Sequence, residues 1–89
     1  MALCGSGIGI SMAVNRHLGC RCALVSDNLS ARLAREHNDA NVIAMGARLI
    51  GVETAKDCLS AFLSTPFGGE RHARRVGKLS NPVSSKELA

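Results

Sequence analysis

An α/β fold built on a parallel sheet is what this sequence predicts, and three observations predict it. Short apolar runs alternate with segments of helical period, a glycine-rich turn joins the first run to the first helix, and turn residues stand where each run ends. Folds of this kind gather their ligands at the carboxyl ends of the strands. Cys4, Asp27 and Gly46 fall at such ends.

The first apolar run, Ala2-Leu3, passes straight into Cys4-Gly-Ser-Gly-Ile-Gly-Ile-Ser11. Glycines at alternate positions read as a tight turn, and the apolar stretch that follows predicts a helix from Ile8 to Leu18, covered on most sides and stopped by Gly19. Arg21 to Val25 reads as a mostly apolar strand, as parallel strands are, and Ser26-Asp27-Asn28 supplies an N-cap. A second helix is expected from about Leu29 to His37, with Leu29, Leu33 and Ala34 inward and Arg32, Arg35 and Glu36 outward. Asn38-Asp39 breaks it. Asn41 to Met45 is the next strand, ending at Gly46.

Val52 to Leu63 carries the clearest helical period, with Ala55, Cys58, Leu59, Phe62 and Leu63 along one buried face. Cys58 is therefore expected to pack rather than react. Pro66 closes that helix, and Phe67-Gly68-Gly69 leads into a basic helix from Glu70 to about Leu79. From Ser80 onward the composition predicts a flexible tail, 80–89.

With 89 residues the chain makes one small domain. It is 46% hydrophobic and only 20% charged, without Trp or Tyr, so the core is aliphatic and some apolar surface is expected to meet another chain. The net charge of +4 is concentrated in Arg71, Arg74, Arg75 and Lys78, with His72 among them. That cluster has no interleaved aromatics and no nucleic-acid motif, so small phosphate esters suit it better than nucleic acid. A solvated basic segment without a ligand is the plainer alternative. Four cysteines make no disulfide framework, and Cys20-Arg21-Cys22 is too tight for a C-x-x-C site. No apolar run approaches a membrane span. The expectation is a cytoplasmic protein with reduced thiols and no membrane partner.

The glycine turn carries the chemistry. Without side chains in the way, its N–H groups can converge on an anion, and the helix start adds unpaired donors and the positive end of its dipole. Cys4 stands at the mouth as a candidate base, with the hydroxyls of Ser6 and Ser11 near in sequence. The G-x-G-x-G spacing matches neither the dinucleotide G-x-G-x-x-G nor a P-loop. The same glycines would equally let a strand and helix pack closely, with Cys4 a small buried hydrophobe. The motif alone leaves both readings open.

Four segments taken together resemble one family. Cys4-Gly-Ser-Gly-Ile-Gly-Ile-Ser11, Ser30-Ala-Arg-Leu-Ala-Arg-Glu-His-Asn-Asp-Ala-Asn-Val42, Gly46-Ala-Arg-Leu-Ile-Gly51 and Gly69-Glu-Arg-His-Ala-Arg-Arg-Val76 stand in the order found in the C-terminal portion of ribose-5-phosphate isomerase type B, a family that includes galactose-6-phosphate isomerase subunits. The resemblance implies a Rossmann-like, three-layer α/β/α fold with a parallel sheet, truncated at its N-terminus, and a C-terminal basic helix. Residues 1–79 would form a partial isomerase domain.

It further implies a metal-free, cofactor-free aldose–ketose isomerase converting ribose 5-phosphate and ribulose 5-phosphate through an enediolate. Cys4 would be the base, with the backbone of Gly5, Gly7, Ile8 and Gly9 and the hydroxyl of Ser6 around the developing oxyanion. His37 would help open the sugar ring and Asn38 would bind the sugar. Arg48, Arg71 and Arg75 would hold the phosphate. The family's site lies between subunits, so a homodimer or tetramer is expected.

Two departures stand out. Ser6 replaces a Thr common among relatives, and the strand–helix–strand with an Asp-His pair that precedes the Cys motif in the family has no counterpart here. An open sheet edge is therefore expected. Galactose 6-phosphate or another hexose 6-phosphate, and a binding module without turnover, are the alternatives.

Overall fold

Three short apolar runs become the strands of one parallel sheet, and the helices between them are placed by its handedness. A computed structural model describes residues 1–80, with the side chains of Glu70 and Arg71 excepted. Its elements are β1 (Ala2–Cys4), α1 (Ile8–Asn15), β2 (Cys22–Leu24), α2 (Asn28–Glu36), β3 (Val42–Gly46), α3 (Val52–Ser64) and α4 (Glu70–Ser80). The strand order is β1-β3-β2. Cys4 lies opposite Gly46 at the carboxyl end of the sheet, and Cys22 lies opposite Val42 at the amino end.

The chain crosses from β1 over β3 to β2 through α1, then steps back to β3 through α2. With both crossovers right-handed, α1 falls on one face and α2 on the other. The buried cluster agrees: Ile43 and Met45 of β3 join Val25, Ala31, Ala34, Cys58 and Ala61 beneath α2 and α3. Ala44, between them in sequence, is fully buried and faces the α1 side by strand alternation. Each of Val25, Ile43 and Met45, at most 2% exposed, contributes about 1.5–3 kcal/mol through burial. The three-layer arrangement is thus the expected one.

Several boundaries differ from expectation. Helix α1 ends at Asn15, three residues before Leu18, because Asn15 turns its amide to β2. Its Nδ2 donates to the Cys22 carbonyl at 2.8 Å and its Oδ1 accepts from the Cys22 N–H at 2.7 Å. Gly19 does adopt the left-handed conformation, at φ 88°, but in the turn beyond. Asn41 precedes β3 rather than opening it; its side chain bridges the Arg21 N–H and the Gly19 carbonyl. Ser80, expected to open the tail, belongs to α4 and accepts from Arg21 Nη1 at 3.0 Å. The remainder, 81–89, lies outside the described residues.

Burial also departs in places. Leu29 and Leu63 are exposed, and α1 is covered on one side only, leaving Ile8 and Met12 open. Arg35, expected outward, lies folded over the Phe62 ring, 5.7 Å from its centroid. Strand β1 is an edge, as anticipated, and Leu3 on it is half exposed.

Candidate active site

The carboxyl edge is built around the turn between β1 and α1. Gly7 caps α1 at φ 80°, a left-handed conformation that costs a side-chain-bearing residue about 1–2 kcal/mol. The loop lies so close to the end of β3 that a Cβ on Gly7 would come within 2.8 Å of the Met45 carbonyl carbon. One on Gly46 would reach 2.6 Å from the Ser6 carbonyl oxygen. Only glycine at both positions allows this contact.

That contact aims amides at sulfur. The Gly7 N–H donates to Cys4 Sγ at 3.1 Å. Cys4 is half-buried, and its thiol is held below the ordinary value, chiefly by the Ile10 amide at the start of α1. Desolvation opposes this, while the amides of Gly7 and Ser6 and the Ser6 hydroxyl add to the lowering. The thiolate is thus favoured by the donors a helix start leaves unpaired. Ser6 Oγ accepts the Ile8 N–H at 3.2 Å. Ser11, by contrast, is buried and donates to the Ile8 carbonyl at 2.7 Å, so it serves the helix rather than the site.

Arg48 is delivered to the same edge by backbone bonds. The Ala47 and Arg48 N–H groups donate to the Cys4 and Gly5 carbonyls at 2.8 and 3.0 Å. The Arg48 side chain then lies over Gly5, its Cδ 3.4 Å from where a Cβ would stand. Gly9, in the first turn of α1, is exposed, with open space where a Cβ would stand. A cleft of about 270 Å³ adjoins the loop between Ser6, Ile8, Leu24, Ser26, Gly46 and Leu49. Exposed guanidinium, ordered amides and an activated thiol together suit a small anion that undergoes proton transfer.

The other predicted residues lie at the amino edge. His37 is the C-cap of α2, which runs back from the carboxyl edge, and Asn38 follows it. The two edges are separated by the length of β3, about 13 Å at the usual rise per residue. Within one chain, His37 and Asn38 therefore do not meet Cys4. Arg75 is exposed on α4, which is tied to the same edge by the Gly68 N–H on the Glu36 carbonyl and by Ser80. Arg71 is also on α4, its side chain outside the described set. The expected trio of Arg48, Arg71 and Arg75 is thus divided between the edges.

Sequence reasoning missed what makes the amino edge rigid. The rings of His37 and His72 stack with centroids 4.4 Å apart and planes at 27°. Asp39, at φ 47°, binds Arg35 through Oδ1 at 3.0 Å and Arg21 through Oδ2 at 3.2 Å. Arg35 also donates to the Ala40 carbonyl, and Arg21 Nε to the Asp39 carbonyl. The i,i+4 spacing of Arg35 and Asp39 was a readable signal for one pair; the histidine stack had none.

These features define a class: an α/β protein with a thiol, held below its ordinary value, over a glycine-rich helix start and a separate basic edge. The sequence model described as Ribose/Galactose Isomerase matches residues 1–79, and the chain belongs to that family. A putative sugar phosphate isomerase of Bacillus subtilis is 48% identical over 79 residues, covering 89% of this chain and 53% of the relative. Ribose-5-phosphate isomerase B of Escherichia coli is 46% identical over 74 residues, covering 83% of this chain and 50% of the relative. Among solved structures, ribose 5-phosphate isomerase B from Anaplasma phagocytophilum superposes with a TM-score of 0.84 at 53% identity, over 86% of this chain and 53% of that one. The chain spans about half the length of the curated relatives it matches.

Proposed function

We propose that this chain is the part of a cytoplasmic sugar-phosphate isomerase that carries its catalytic base, interconverting ribose 5-phosphate and ribulose 5-phosphate. Cys4, as thiolate, takes the proton from C2 of the open-chain aldose. The electrons move into an enediolate, whose oxyanion is met by the amides of the Gly5–Gly9 turn and the Ser6 hydroxyl. The Cys4 thiol returns the proton to C1, and the hydroxyl proton on the C2 oxygen passes to the C1 oxyanion, leaving a C1 hydroxyl and the C2 carbonyl of the ketose. Base and acid are one group, so nothing else need be consumed.

His37 and Asn38 act on the ring form of the sugar, and Arg71 and Arg75 hold the phosphate, with Arg48 completing the charge on the Cys4 side. Because His37 and Asn38 sit about 13 Å from the Cys4 edge by the strand rise, they serve a neighbouring copy. The working unit is then an oligomer whose sites form where one copy's carboxyl edge meets another's amino edge.

The single observation that carries this reading is the Cys4 sulfur on the Gly7 amide, with its thiol lowered chiefly by the Ile10 amide. A coupled isomerase assay of the purified chain tests it. Turnover of ribose 5-phosphate that vanishes in Cys4→Ala supports the enzyme, and faster turnover of galactose 6-phosphate moves the substrate to the hexose member of the family. The half-length match to relatives favours one second reading, a sugar-phosphate-binding module. Phosphate-ester binding without turnover would establish it.

A further inference from the structure

Among the described residues, Asp39 alone holds a left-handed backbone without being glycine, at φ 47°. It follows His37 and Asn38 directly, and its N–H donates to the Arg35 carbonyl at 3.2 Å. A left-handed residue at a helix end is usually glycine, and Asp enters that conformation at a cost. Such an outlier persists where its surroundings hold it, and it then points to a role.

The surroundings do hold it. Asp39 Oδ1 accepts from Arg35 Nη1 at 3.0 Å, and Oδ2 from Arg21 Nη2 at 3.2 Å. Its carbonyl accepts from Arg21 Nε at 2.8 Å. The three side chains are no more than 30% exposed. Each arginine also reaches a further element. Arg35 Nε donates to the Thr65 carbonyl at the end of α3, at 3.4 Å, and Arg21 Nη1 donates to Ser80 Oγ at the end of α4, at 3.0 Å.

Glycine would satisfy the backbone at this position but would hold neither arginine. The carboxylate ties the turn after α2 to β2, α3 and α4 at once. His37 and Asn38, just before it, are themselves exposed, so the fixed backbone beneath them sets where they stand. The His37 ring lies on His72 of α4, and Arg21 fastens the far end of that helix to the same turn.

We propose that Asp39 is the positioning residue of His37 and Asn38, acting through Arg21 and Arg35. This rests on the isomerase reading, in which that pair serves the ring form of the sugar. In ring opening the C1 hydroxyl gives up its proton, the C1–O4 bond breaks as the C1 carbonyl forms, and O4 takes a proton, with His37 the carrier. Ribose 5-phosphate closes its ring through O4. Ribulose 5-phosphate carries its phosphate on the oxygen that would close a furanose, so it stays open. Turnover from the aldose therefore needs this step, and turnover from the ketose does not.

Initial rates in the two directions test the proposal. Asp39→Asn keeps the shape and the tolerance of a left-handed backbone but loses the charge that both arginines bind. It should slow turnover of ribose 5-phosphate about 10–100-fold, the scale of a reacting group slightly misplaced, and leave turnover of ribulose 5-phosphate largely unchanged. Arg21→Lys keeps its charge but cannot make the three bonds of the fork together, and should act in the same direction. Equal losses in both directions, or no loss in either, would overturn the proposal. A second measurement needs no turnover. The nuclear Overhauser effect between the His37 and His72 rings, whose centroids lie 4.4 Å apart, should weaken in Asp39→Asn. An unchanged effect refutes the positioning role. If the unaltered chain turns over neither sugar, the isomerase reading falls, and the ring contact alone decides whether Asp39 sets the turn.

Discussion

The two ends of the sheet are organised by different physics. At the carboxyl edge, backbone does the work. Glycines at 7 and 46 bring a loop and a strand end into contact, and the amides so collected converge on one sulfur. At the amino edge, side chains do it. Asp39 ties two arginines, His37 stacks on His72, and α4 is fastened through Gly68 and Ser80. The first arrangement stabilises a charge that appears and disappears. The second gathers cationic and imidazole side chains, which in the proposed reaction would face a charge that does not change, that of the phosphate. In the proposed reaction a carboxyl edge that reacts and an amino edge that grips would be complementary halves of one site, closed between copies of the chain.

That contrast can be broken most sharply by removing each edge's reactive group. Cys4→Ala should lower isomerase turnover by about 10²–10⁴-fold, the range of a lost general base. His37→Ala should slow turnover on ring-form sugar while leaving turnover on the open-chain form largely intact. If the edges of different copies pair, mixing the two variants should restore turnover of the ring-form sugar. In a twofold-symmetric dimer, equal mixing gives about a quarter of the original sites intact. No recovery after subunit exchange would place both groups in one chain's site.

Stability should separate the edges next. Gly7→Ala adds a left-handed residue and a backbone collision, and should cost about 2–4 kcal/mol in urea unfolding. Arg35→Ala leaves the Ala40 carbonyl without its charged donor and Asp39 with Arg21 alone, and should cost about 1–3 kcal/mol. The Arg35 loss should unfold the amino edge without changing the reactivity of Cys4, whereas the Gly7 change should alter both.

The smallest effect concerns the cap of α2, where Asp27 accepts the Ser30 N–H at 2.7 Å. That bond, with the Ser30 hydroxyl, holds the Asp27 carboxyl below the usual range. A lowered carboxyl stabilises the fold fully above its unfolded value of about 3.9, and the contribution drains away as pH falls through the lower folded value. Asp27→Ala should therefore lower the urea midpoint at pH 7 and make little difference in strong acid. An equal difference at both would remove the carboxylate from the account.

The same contrast explains what could be read from the chain alone. The carboxyl edge was legible because its logic is local: Cys4, the glycines and the helix start are neighbours in sequence, and Asp27 announces its own cap. Arg48 was legible as a residue but not as a neighbour of Gly5, since two backbone bonds across the sheet end put it there. The amino edge was not legible as a structure. His37 and His72 are joined only by folding, and Arg35 looked like a solvent residue on an amphipathic helix. Asn15 ended α1 early by bonding to β2, a partner that helical period does not reveal. The division of the arginines between two edges follows from the direction of α2, which no motif states.

The central claim is that the Cys4 thiol gives up its proton more readily than the thiols of Cys22 and Cys58. Alkylation of the intact chain by iodoacetamide across a pH series, resolved by peptide, measures this without reference to turnover. Cys4 should reach half its maximal rate at a lower pH than an ordinary thiol, while Cys22 and Cys58, pushed up by burial, should reach theirs at a higher one. Cys4 rising together with those two, or after them, would contradict the account.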